Sequence, residues 1–219
     1  MSFPLSAITR RRLIAAAGGA LALAASPALA EKAASGSVSL MELMAPNALP
    51  DIVEGDANAP VAIVEYASMT CSHCAAFHHD VYPTLKKNYI DTGKVKFTLR
   101  EFPLDPLATA AFMLAREMGD KRDAVVDLLF AQQKNWAFVD QPLDGLANVL
   151  KQAGLSQEKF EAILKDQDLY KKVNEVRARA ADKFGVNSTP TFFINGEKYT
   201  GEITTADFDK IIAAKTPAK

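Results

Sequence analysis

Cysteine is scarce in this chain: 219 residues contain two, at positions 71 and 74. That excludes a disulfide-stapled scaffold, because a bridge closing so small a loop removes little chain entropy. Histidine is nearly as scarce. All three histidines sit beside the cysteines in the stretch Met69-Thr-Cys-Ser-His-Cys-Ala-Ala-Phe-His-His79. No second Cys or His cluster exists to complete a four-ligand structural metal site. Positive charge is not in excess, with 25 Lys and Arg against 26 Asp and Glu. No basic stripe appears, which argues against nucleic acid as a partner. Beyond the first thirty residues, no apolar run reaches the about 20 residues that span a bilayer. The chain after them also lacks internal repeats and low-complexity tracts.

What is present is an ordinary globular composition, 49% hydrophobic and 23% charged. That suffices for one well-buried core and one domain, with or without an insertion. Residues 1–30 read as a cleaved export signal. Arginines 10, 11 and 12 precede an apolar run from Leu13 to Ala25, Pro27 breaks it, and Ala28-Leu-Ala30 has the form of a cleavage site before Glu31. The rival reading is a transmembrane anchor, for which the run is too short and too rich in Ala and Gly. Thr9-Arg-Arg-Arg-Leu-Ile14 resembles a twin-arginine export signal, and a plain positively charged leader is the other reading. Cleavage removes three arginines and no acid, leaving a net charge of −4. Export implies a periplasmic, oxidising setting for the two cysteines.

Residues 31–58 mix Ala, Ser, Gly, Pro and Asn and read as a flexible lead-in, with one apolar patch at Val38–Met44. Val61-Ala-Ile-Val-Glu-Tyr66 is nearly continuous in apolar residues, as in a strand buried on both faces. Ala75, Phe77, Val81, Leu85 and Tyr89 then recur at helical spacing. They predict a helix from near Cys71 to about Tyr89, kinked by Pro83. Val95–Leu99 alternates as a second strand, completing a βαβ unit. Helical patterns follow over Leu107–Met118, Arg122–Gln133, Leu143–Gln152 and Gln157–Leu164, the last capped by Ser156. A further stripe of Leu169, Val173, Val176, Ala180 and Phe184 ends at Gly185. Strand signals return in Thr191–Ile194, the turn Asn195-Gly196, and Lys198–Thr200, a hairpin by its Asn-Gly signature. Thr205–Ala214 predicts a last amphipathic helix.

Cys-x-x-Cys after a strand and at the opening of a helix is a redox signature. The thiolate is the reactive species, and the unpaired N–H groups and dipole of a helix N-terminus favour it. Cys71 is expected at that end, with Cys74 one turn further in. His73 adds a stabiliser if its ring or backbone N–H points at the Cys71 sulfur. A stable thiolate means a stable reduced form, which makes the disulfide a strong oxidant. A metal reading can draw on Cys71, Cys74, His78 and His79. However, the two histidines are neighbours on the predicted helix and diverge by about 100°, which counts against a shared metal; both are expected as exposed helix-surface residues. Glu65 lies mid-strand, where a carboxylate is costly. It reads either as a strand-edge residue paired to a lysine or as a buried proton acceptor for Cys74. Pro190, after Ser188-Thr189 and before a strand, is compatible with a cis bond.

The chain resembles the DsbA-like thioredoxin-fold thiol:disulfide oxidoreductases, in the branch common in alphaproteobacteria. The resemblance rests on Val-Glu-Tyr-Ala-Ser-Met-Thr-Cys-Ser-His-Cys at 64–74, Arg-Glu-Phe-Pro-Leu-Asp-Pro at 100–106, and Phe-Gly-Val-Asn-Ser-Thr-Pro-Thr-Phe-Phe-Ile-Asn-Gly at 184–196. It implies an α/β thioredoxin fold over residues 59–219 with an all-helical insertion at 104–183. Cys71 corresponds to the nucleophile, Cys74 to its resolving partner in a Cys71–Cys74 disulfide, and His73 to the histidine that stabilises the thiolate. Glu65 corresponds to the buried acid. Pro190 corresponds to the cis-proline facing the disulfide, with Thr189 and Ser72 beside the client. The chain departs from the best-known members in having Ser72 for proline and Thr189 for valine. The implied function is an exported interchange protein that introduces disulfides into folding periplasmic proteins. The resemblance also implies a DsbB-like membrane partner that reoxidises it, no cofactor beyond the cysteine pair, and no metal. A reductase or isomerase on the same fold, and a periplasmic metal-binding thiol protein, are the alternatives.

Overall fold

The computed structural model describes residues 32–216, so the export signal expected at 1–30 lies outside the described residues. Six strands form one sheet in the order β1-β6-β5-β3-β4-β2. They are β1 (Gly36–Ser37), β2 (Val53–Glu54), β3 (Val61–Ala67), β4 (Val95–Glu101), β5 (Thr191–Ile194) and β6 (Glu197–Thr200). β3 and β4 are parallel; β5 and β6 add antiparallel on the other side. All seven residues of β3 are buried, as its apolar run requires of a central strand. The β5–β6 turn uses Asn195 and Gly196 at φ 49° and 89°, the doubly positive geometry that an Asn-Gly hairpin turn needs.

Side chains alternate across β3. Val61, Ile63 and Ala67 point into the larger core cluster, together with Cys74 and Phe77. Val64 and Tyr66 point into the other, with Phe193, Phe184 and Leu43. Glu65 therefore shares the face of Ile63 and Ala67. It is central rather than at an edge, so the reading of Glu65 as a strand-edge residue paired to a lysine is wrong. The helix-rich segment comprises α4 (Pro106–Arg116), α5 (Arg122–Ala131), α6 (Gln133–Trp136), α7 (Pro142–Gln152), α8 (Gln157–Leu164) and α9 (Gln167–Phe184). Asp105 caps α4 and Ser156 caps α8 by accepting from backbone N–H groups. Gly185, at φ 59°, ends α9. The final helix, α10 (Thr205–Lys215), opens with a capping box between Thr204 and Asp207.

Residues 32–58 are not a loose lead-in. β1 pairs with β6, and β2 with β4; a short helix, α1 (Leu40–Leu43), buries Leu43 completely. Long-range arginines explain this. Arg100 of β4, buried to 1%, donates to Asp51, to Tyr66 Oη at 2.9 Å and to the Leu43 carbonyl at 2.8 Å. Arg179 of α9 donates to the carbonyls of Glu42, Ala45 and Pro46. Gly196 permits the close approach of this segment, since a Cβ there would stand 2.5 Å from the Val38 carbonyl oxygen.

The helix after β3 also departs from expectation. It runs as α2 (Ser72–Ala76), a π-turn over Phe77–Val81, α3 (Tyr82–Leu85), and a second π-turn over Lys86–Ile90. Pro83 has no N–H for the carbonyl four residues back, and its ring crowds that carbonyl. The chain widens just before it. A π-turn places more residues in each turn, so each residue rotates less. Phe77 and His78 both face inward and are buried.

Candidate active site

Cys71 is the N-cap of α2, at the end of the loop that leaves β3. Its backbone N–H donates to the Ser68 carbonyl at 3.0 Å. Thr70 Oγ1 donates to Asp105 Oδ2 at 2.6 Å, and Leu104 N–H donates to Ser68 Oγ at 3.2 Å. The Arg100–Pro106 stretch thus braces the cysteine loop. Gln133 of α6 was invisible from sequence; buried, it donates to the carbonyls of Met69 at 2.9 Å and Cys71 at 3.0 Å. A single glutamine in a helix carries no signal of so distant a partner.

The two cysteines are free thiols in very different settings. Cys71 is 8% exposed and Cys74 fully buried. The Cys71 Sγ lies 3.4 Å from the Thr189 carbonyl oxygen. Its pKa is pushed down to about 5, first by a hydrogen bond from the Cys74 side chain. Burial opposes this, and the backbone N–H groups of Cys74 and His73 reinforce it. Burial pushes the Cys74 thiol well up, and the Cys71 sulfur and the Glu65 carboxylate push it further. One thiol is thereby ionised at neutral pH and the other held protonated.

His73 acts on the Cys71 sulfur through its backbone N–H. Its exposed ring pairs instead with Glu202, Nδ1 to Oε1 at 2.9 Å. Ser72 is exposed beside it. Thr189-Pro190 is a cis peptide bond, and Pro190 is buried. A groove of about 350 Å³ runs alongside, lined by His73, Ala76, Phe77, Pro190, Phe192 and Ile203 among others.

His78 overturns its reading as exposed helix surface. It is buried, and its Nε2 lies 2.9 Å from Glu65 Oε2. Burial works to lower its pKa, but Glu65 and Asp127 outweigh this and raise it to about 9. His79 is exposed, as expected, and pairs with Asp80. Among the described residues, no group of three or more His, Cys, Asp or Glu is arranged to hold a metal ion. Nor is any described helix long and apolar enough to cross a membrane.

A thioredoxin-type sheet that presents a cysteine pair at a helix N-terminus, against a cis-proline, defines the thiol:disulfide oxidoreductases. The thioredoxin family model matches residues 47–214, and the chain belongs to that family, among its DsbA-like members. It is 31% identical to Wolbachia pipientis alpha-DsbA1, with a TM-score of 0.74 over 81% of this chain and 95% of that one. It is 32% identical over 176 residues to a Rickettsia typhi protein provisionally named a protein-disulfide oxidoreductase. That match covers 77% of this chain but spans 64% of the length of the curated relative. Oxidised BdbD from Bacillus subtilis, 20% identical with a TM-score of 0.66, shares the fold.

Proposed function

We propose that this protein is an exported disulfide oxidase that donates its Cys71–Cys74 disulfide to folding periplasmic proteins. The observation that carries the reading is the unequal setting of the pair, Cys71 at the N-cap of α2 against the cis Thr189-Pro190 bond and Cys74 fully buried, which pushes Cys71 down to about 5 and Cys74 up. A stabilised thiolate favours the dithiol form and makes the disulfide oxidising.

In the proposed cycle a client thiolate attacks Cys71 Sγ. The S–S bond breaks and its electron pair leaves on Cys74, which takes a proton; Glu65 serves as the buried proton-transfer group. The client's second thiolate then attacks the client sulfur of the mixed disulfide. A client disulfide forms, and Cys71 leaves as the stabilised thiolate. Thr189 and Pro190 hold the client strand in extended form beside the sulfur, with Ser72 at the rim. The cysteine pair carries both electrons, so the cycle needs no flavin, nucleotide or metal. A quinone-linked membrane partner of DsbB type restores the disulfide. Residues 32–58 are engaged on the chain's own β4 and β6, which supports an oxidase over an isomerase that dimerises through this segment.

Equilibration with glutathione tests the reading. The expected reduction potential lies well above thioredoxin's value of about −270 mV. A potential at or below that value would refute the oxidase role.

A further inference from the structure

The buried ionisable groups beside the cysteine pair line up in one file. Glu65 is fully buried on the face of β3 that carries the active-site helix. Its Oε2 meets His78 Nε2 at 2.9 Å, while its Oε1 is buried without a hydrogen-bond partner. The His78 ring is fixed by stacking on Phe130 at 4.3 Å between centroids. Its other nitrogen, Nδ1, is also buried without a hydrogen-bond partner, 3.8 Å from Asp127 Oδ1. Asp127 is half exposed, on α5. A cleft of about 300 Å³, lined by His78, Asp127, Tyr82 and Lys86, opens at this end.

A purely structural buried ion pair gains little over well-packed apolar side chains. An unsatisfied polar atom at each outer end makes this one more costly still. What the pair offers that apolar residues lack is a site for proton uptake at both ends. At one end the Glu65 charge acts on Cys74, and the other end lies beside half-exposed Asp127. Glu65 on β3 and Asp127 on α5 are the charged groups that face the ring. Tyr82, from the same helix, lies 4.9 Å away between ring centroids, and its hydroxyl is committed to Glu54. His79 and Lys86 stand at the cleft and carry their own acidic partners, Asp80 for one and Glu54 and Asp91 for the other.

We propose that His78 is a positioning residue that links Glu65 to solvent, so that Glu65, His78 and Asp127 move the Cys74 proton into and out of the core. The inference rests on the exchange chemistry above. When the Cys71–Cys74 bond breaks, the proton for the departing Cys74 thiolate comes through Glu65. His78 replaces it with one drawn from water beside Asp127. In reoxidation Cys71 has formed a mixed disulfide with a disulfide-bearing partner. The Cys74 thiol gives its proton to Glu65 and its thiolate attacks Cys71 Sγ. The new S–S bond expels the partner thiolate, and the proton leaves by the same file.

Rapid mixing of the reduced protein with oxidised glutathione separates two phases, attack by Cys71 and closure by Cys74. His78→Gln should slow closure by at least about 10-fold at pH 7 and move its pH–rate profile alkaline. The attack phase and the pH midpoint of Cys71 alkylation should stay as in the parent. Asp127→Asn should slow closure in the same direction by a smaller factor. Parent-like closure rate and pH profile in folded His78→Gln would overturn the proposal. If that variant does not fold, unchanged closure in Asp127→Asn overturns it alone. A parent protein with no attack phase would instead refute the exchange reading.

Discussion

The hydroxyl of Thr70 donates to the carboxylate of Asp105 at 2.6 Å, and the other oxygen of that carboxylate caps α4 by accepting from Ala108 N–H at 2.8 Å. One side chain therefore anchors both the start of the helical segment and the loop that delivers Cys71. Asp105→Ala removes a helix cap and a charge-assisted hydrogen bond together. Denaturant unfolding should show a loss of about 2–4 kcal/mol. Asp105→Asn, which keeps the capping oxygen, should lose less.

The ionisation of Cys71 sets a pH dependence with a definite sign. Its folded pKa of about 5 lies below that of an unfolded cysteine, about 8.5. The stabilisation of the reduced fold is therefore complete above about 8.5 and disappears as the pH falls through 5. Melting curves of the reduced and oxidised forms should converge, or exchange order, on acidification. Between pH 6 and 8 the couple takes up one proton for two electrons, so its potential should fall by about 30 mV per pH unit. A slope near 60 mV across that range would mean that Cys71 is protonated there.

Cys74→Ala removes the resolving thiol and keeps the nucleophile. Exported proteins bearing cysteines should accumulate in mixed disulfides with this variant, visible as reducible bands on gels. Cys71→Ala should yield none. Adducts that survive in Cys71→Ala would reverse the assignment of the two sulfurs.

Arg100 donates to Asp51, to Tyr66 and to the Leu43 carbonyl from a buried position. Arg100→Met leaves those groups without their cation, at a cost of about 3–5 kcal/mol. Limited proteolysis should then cut within residues 40–58 faster than in the parent.

The elements that sequence made legible are those whose signal is local. Val61–Tyr66 reads as a central strand because it is apolar throughout. Asn195-Gly196 reads as a hairpin because few other pairs accept two positive φ angles. Ser156 and Gly185 mark helix ends by their own chemistry. Cys71 and Cys74 are legible for the same reason, since a strand before them and a helix after them define their setting. The illegible parts depend on distant partners. Two-residue strands such as β1 and β2 contain no periodicity to detect. The arginines that hold them, Arg100 and Arg179, look from sequence like any surface arginine. His78 stands four residues after Cys74 and seven before Leu85, so helical spacing itself puts it on the buried face, and a polar side chain there carries no local sign of its partner Glu65. Gln133 had no local mark at all.

The two outermost strands, β1 and β2, are each two residues long. Long open strand edges template the pairing of other chains, and very short ones do so poorly. A protein of the proposed kind spends its working life against extended, unfolded polypeptides, the species most ready to add a strand. The two-residue strands at both sides of the sheet offer such polypeptides little edge to pair with.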